Sequence, residues 1–80
     1  MLYVFGTVRG EIQSFEKMTV KEFERRYRLD MPYDEWVAAD KYLHDVFETA
    51  DIDVAREYIA EHGMPEDEIL CKKIAQCLGI

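Results

Sequence analysis

The chain predicts an α+β fold, an N-terminal β-hairpin packed on a small bundle of four helices, in a single domain over residues 1–80. Three observations carry this. Leu2–Val8 reads LYVFGTV, a β-branched and aromatic run that ends at Arg9-Gly10, a dipeptide suited to a tight turn. Met18–Phe23 reads MTVKEF, which sets a helix cap between two apolar residues. From Pro32 onward apolar residues recur at helical spacing, punctuated by Gly63, Pro65 and Gly79.

Residues 11–17, EIQSFEK, are expected to return antiparallel to the first strand. A two-residue turn sets Val4 opposite Phe15 and Thr7 opposite Ile12. The apolar–polar alternation in this segment is imperfect. An extension of the next helix back to Ser14 therefore competes, and the hairpin is the favoured reading.

Thr19 is placed to cap the first helix, with Glu22 closing a capping box and Met18 and Phe23 forming a hydrophobic staple. This helix is expected from Val20 to Arg28, with Val20, Phe23 and Tyr27 inward and Lys21, Arg25 and Arg28 on the opposite stripe. Asp30 offers the next cap, Pro32 suits a first turn, and Asp34 and Glu35 suit a positive helix end. Trp36, Ala39, Leu43, Val46, Phe47 and Ala50 share one face, which predicts a second helix over residues 32–48. Asp40, Lys41, His44, Asp45 and Glu48 face away, with Tyr42 on the flank.

A third helix follows in DVAREYIAEHG, capped by Asp51 or Thr49 and stopped by Gly63, with Ala55, Tyr58, Ile59 and His62 on one stripe. The fourth is expected to open with Pro65 in its first position. It shows Leu70, Ile74, Cys77 and Leu78 to the core and ends at Gly79.

A chain of 80 residues buries only about 60 % of its unfolded surface, so its stability margin is thin. The 49 % hydrophobic content is enough for a core. The net charge of −7 argues against direct nucleic-acid binding and against an anionic membrane, since either contact is repulsive at long range. The charge is uneven. Residues 1–28 hold six basic and four acidic side chains, 6 − 4 = +2, and residues 29–80 hold four and thirteen, 4 − 13 = −9. Cys71 and Cys77 are spaced too widely to bridge within one helix, and free thiols fit a reducing, cytoplasmic setting. No secretory leader is expected, and no run reaches the ~18 apolar residues of a membrane helix.

Asp40, His44 and Glu48 repeat every four residues and suggest a divalent metal or an acid–base pair. The set lacks further ligands, and a solvated helix face explains it as well. His62, Cys71 and Cys77 lack zinc spacing, and the carboxylates at 66–68 oppose a Cys71 thiolate paired with His62. The stripe Lys21, Arg25 and Arg28 is suited to a phosphate or an acidic partner, yet Glu22 and Glu24 lie four residues before Arg26 and Arg28 and solvate it equally well. A helix-turn-helix over the last two helices would lead with PEDE, the wrong charge for phosphates. No nucleophile, phosphate-loop or metalloprotease motif occurs, and neither an enzyme nor a cofactor or metal is expected. Tyrosines interleaved with carboxylates suit an adhesive surface.

The expected function is a non-enzymatic protein-binding module that docks on a basic surface through Asp34, Glu35, Asp40, Tyr42, His44, Asp45 and Glu48. Its size and acidity fit phage or mobile-element inhibitors of a host machine, the anti-CRISPR class among them. A nucleic-acid mimic and a self-associating homodimer or assembly factor are the alternatives.

Overall fold

The computed structural model describes residues 1–27, 32, 35 and 45–80. The fold is α+β, with an antiparallel three-stranded sheet and three helices among the described residues. In chain order the elements are β1 (Leu2–Val8), β2 (Glu11–Met18), α1 (Val20–Tyr27), β3 (Asp45–Thr49), α2 (Ile52–His62) and α3 (Glu68–Leu78). The sheet order is β2-β1-β3, so the first strand is the central one.

The hairpin forms as its sequence predicts. Val8 pairs with Glu11 across a two-residue turn, and Arg9 (φ 55°) and Gly10 (φ 80°) both take the left-handed conformation that matches strand twist. Thr7 lies opposite Ile12 as expected, but Phe15 faces Phe5 rather than Val4. The register shifts between Gly6 and Thr7 because β2 carries one extra residue, Gln13. That bulge explains the imperfect alternation. Ile12 and Phe15 are three apart, which in a regular strand puts them on opposite faces, yet both enter the same core.

β1 is buried from Leu2 to Thr7 because helices cover both of its faces. On one face Tyr3, Phe5, Ile12 and Phe15 pack with Ala55 and Ile59 of α2 and Ile74 and Leu78 of α3. α2 lies beside β3 and α3 beside β2. On the other face Leu2, Val4 and Met18 pack with Phe23 and Tyr27 of α1. Thr19 caps α1, the Glu22 amide donating to its Oγ1 (3.1 Å), but the expected box closes differently: Glu22 Oε1 accepts from the Thr19 hydroxyl (3.1 Å) in place of the Thr19 amide. Met18 and Phe23 share a core cluster, as a staple requires. Val20, expected inward, is 54 % exposed, because only positions 23 and 27 of this short helix reach the sheet.

The main correction concerns residues 45–48, which extend a sheet instead of ending a second helix. Val46 pairs with Gly6, Phe47 with Phe5 and Glu48 with Val4, so β1 gains the second neighbour that its two-sided burial demands. The helices number three among the described residues, not four. The rest of the predicted helix, with Trp36, Ala39 and Leu43, lies outside the described residues apart from Pro32 and Glu35, where the Glu35 amide donates to the Pro32 carbonyl (3.0 Å).

The last two helices keep the predicted faces with adjusted starts. Asp51 caps α2, accepting from the Asp53 amide (2.8 Å), and the Gly63 amide donates to the Ile59 carbonyl (2.7 Å). α3 begins at Glu68 with Asp67 as its cap, accepting from the Leu70 amide (2.9 Å). Pro65 therefore precedes the cap instead of occupying the first helical turn. Arg56 Nε donates to the Leu78 carbonyl (2.8 Å) and ties α2 to the C-terminal end of α3.

Candidate functional site

Of the residues expected to bind a partner, Glu35, Asp45 and Glu48 are described and all are exposed. Asp34, Asp40, Tyr42 and His44 lie outside the described residues, as does Arg28 of the basic stripe. The stripe Asp40, His44, Glu48 does not persist as a helical repeat, because Glu48 belongs to β3. Strand alternation also places Asp45 and Glu48 on opposite faces of the sheet.

The structure puts an aromatic stack beside these carboxylates. The Tyr58 ring lies 4.8 Å from Phe5, 4.5 Å from Phe47 and 4.1 Å from His62, the last nearly parallel at 26°. Phe5 and Phe15, 4.9 Å apart, continue the stack into the core. Spacing on α2 builds the outer part, since Tyr58 and His62 are one turn apart on one side. Nδ1 of His62 donates to the Tyr58 carbonyl (3.1 Å), because a carbonyl can only accept. This holds the ring over Tyr58. The Tyr58 phenol is hydrogen-bonded to Thr7, the one buried polar side chain of the described core. Burial raises the Tyr58 pKa above 10.0; the Thr7 hydrogen bond opposes this, and the nearby charges of Asp45 and Glu61 add to it.

Around the stack runs a hollow of about 480 Å³ lined by Asp45, Val46, Phe47, Glu48, Tyr58 and His62. Adjacent β3 residues point to opposite faces, so a hollow lined by Val46, Phe47 and Glu48 together wraps the outer edge of the strand. The Val46 amide donates to Asp45 Oδ1 (2.9 Å), which shows it turned away from β1. Sequence reasoning placed Tyr58 and His62 on one stripe but gave them no part in a site. The missed signal was their i,i+4 aromatic spacing opposite a β-branched and aromatic segment, DVFET.

Two other hollows open on the described surface. One of about 370 Å³ lies between Glu11–Gln13 and the α2–α3 connection. Another, of about 460 Å³, is lined by Glu16, Met18, Thr19, Lys21, Glu22, Arg25 and Arg26. There Arg26, beside the basic stripe, pairs with Glu16 (2.6 Å). Cys71 and Cys77 are free and half-buried on α3. Among the described residues no three His, Cys, Asp or Glu side chains gather as a metal site, and no helix is long and apolar enough to cross a membrane. Set against known proteins, the chain matches no family model, no curated protein and no solved structure.

Proposed function

We propose that the protein is a non-enzymatic binding module whose acidic flank docks on a basic surface of another protein. The observation that carries this is the stretch from Asp45 to Glu68. It holds nine carboxylates, all exposed, against one cation, Arg56, which is bonded to the Leu78 carbonyl and to Asp53. A surface of one sign beside an aromatic stack offers both attraction at long range and contact area at short range. Asp34, Glu35, Asp40, Tyr42 and His44 remain among the residues proposed to meet the partner. A module of this kind acts by occlusion, the mode of a phage or mobile-element inhibitor. Affinity purification from the host in a reducing, cytoplasmic extract, followed by titration of the captured partner against E48K and E61K variants, tests it. Binding that weakens with salt and with each reversal is expected, and binding indifferent to both would sink the proposal.

Mimicry of nucleic acid is a second reading, and one observation favours it. Asp53, Glu57 and Glu61 form a row along α2 with steps of ~6 Å, and no lysine occurs from residue 45 to residue 68. Competition between this protein and DNA or RNA for the captured partner supports mimicry; simultaneous binding of both rejects it.

A further inference from the structure

Resting on the docking reading above, we propose that the outer edge of β3 and the Tyr58–His62 stack receive an extended, arginine- or lysine-bearing segment of the partner, which adds to the sheet as a fourth strand. Three observations meet here. The first is the edge itself. In the order β2-β1-β3, no described strand pairs with the outer side of β3. The Val46 amide donates to its neighbour Asp45, and antiparallel alternation turns the backbone of Glu48 the same way. Asp45 thus holds a donor that an incoming carbonyl would take. The second is the hollow of about 480 Å³ that follows this edge from Asp45 to Glu48 and reaches Tyr58 and His62. The third is charge. Exposed Asp45 and Glu61 lie near the flat, π-rich rings, with Glu48 across the strand edge, a setting suited to a guanidinium or ammonium group.

In the bound state the strand's carbonyl accepts from the Val46 amide in place of Asp45 Oδ1. A cation at an adjacent position of the added strand meets Glu48 on the opposite face, and one on the stack side lies against His62. The same features argue against other occupants. A second copy of β3 would bring its own Asp45 and Glu48 against these two. A nucleic-acid backbone meets repulsion.

The test uses the folded protein and a capped, valine-rich peptide of about six residues, a strand's length, with arginine at two adjacent central positions so that each face of the strand carries one. A first control replaces arginine with glutamate, and a second carries N-methyl groups on alternate amides, keeping the charge but blocking strand pairing. Amide shifts and slowed hydrogen exchange at Val46 and Glu48, with ring shifts at Tyr58 and His62, are expected for the arginine peptide. Both controls are expected to lose binding. Val46→Pro, which removes a donor that β1 does not use, and Glu48→Lys are each expected to weaken the peptide by roughly tenfold or more. Equal binding of the N-methylated peptide overturns strand addition, as do shifts confined to the Asp53–Glu61 side of α2. Both of those outcomes leave the docking reading standing. If neither the peptide nor a folded basic protein such as cytochrome c binds at low salt, both proposals fall. Should Val46→Pro fail to fold, Glu48→Lys and the N-methylated peptide decide the matter.

Discussion

Tyr58 links the core to the surface, because its ring touches Phe5 and Phe47 inside and His62 outside. Its raised pKa sets a direction for alkaline stability. Up to the ordinary value of 10.0 the phenol is protonated in both states and its contribution is complete. Above that the unfolded chain releases its proton first, so stability falls as the pH rises through the higher folded value. Alkaline unfolding followed by circular dichroism is expected to lose this steep component in Tyr58→Phe. At neutral pH that variant is expected to cost about 1 kcal/mol through the lost hydrogen bond to Thr7. Arg9 offers the opposite case. Its φ of 55° is unfavourable for a side chain with Cβ, and Arg9→Asn creates the preferred Asn-Gly turn. A gain of about 1 kcal/mol in denaturant unfolding is expected.

Among the elements, legibility followed locality. The hairpin turn and the Thr19 cap of α1 are specified by residues within a few positions of each other, and both formed. β3 was not legible, because Val46 and Phe47 continue the apolar stripe of Trp36, Ala39 and Leu43 as readily as they form a short strand. The decision rests on β1, whose unbroken apolar run marks a strand buried on both faces and therefore central. A central strand needs two neighbours, and the hairpin supplies one. The candidate site inherits this difficulty. Asp45 and Glu48 were legible as exposed acids, but their meeting with Tyr58 and His62 depends on a pairing 38 residues away (45 − 7). The Gln13 bulge was visible only as broken alternation. Deleting Gln13 would force one of Ile12 and Phe15 off the core face. A loss of at least ~2 kcal/mol is expected, read as a lower denaturant midpoint.

For the whole molecule, the net charge of −7 works against compactness and toward a basic partner. Salt is therefore expected to act oppositely on the two properties. Raising it from about 0.05 to about 0.5 M shortens the screening length severalfold. The melting temperature of the free protein is expected to rise, while affinity for a basic partner falls. A parallel change in both would show that the carboxylates stabilise the fold instead of serving recognition. Core truncation provides the scale for comparison: Phe5→Ala, at a fully buried ring packed under α2 and α3 and paired with both flanking strands, is expected to cost about 3–5 kcal/mol.

The central position of β1 also orders events in time. Its hairpin with β2 closes over two residues, a local step, whereas its other side waits for a segment that follows 38 positions after Thr7 (45 − 7). Until then a nascent or refolding chain holds a two-stranded ribbon with one flank of its most apolar strand open. Substitutions in the hairpin are accordingly expected to slow refolding, and Val46→Ala to quicken unfolding instead. The interval before β3 arrives is the period in which this protein is most exposed to mispairing, and the bench signature is refolding yield that declines with protein concentration.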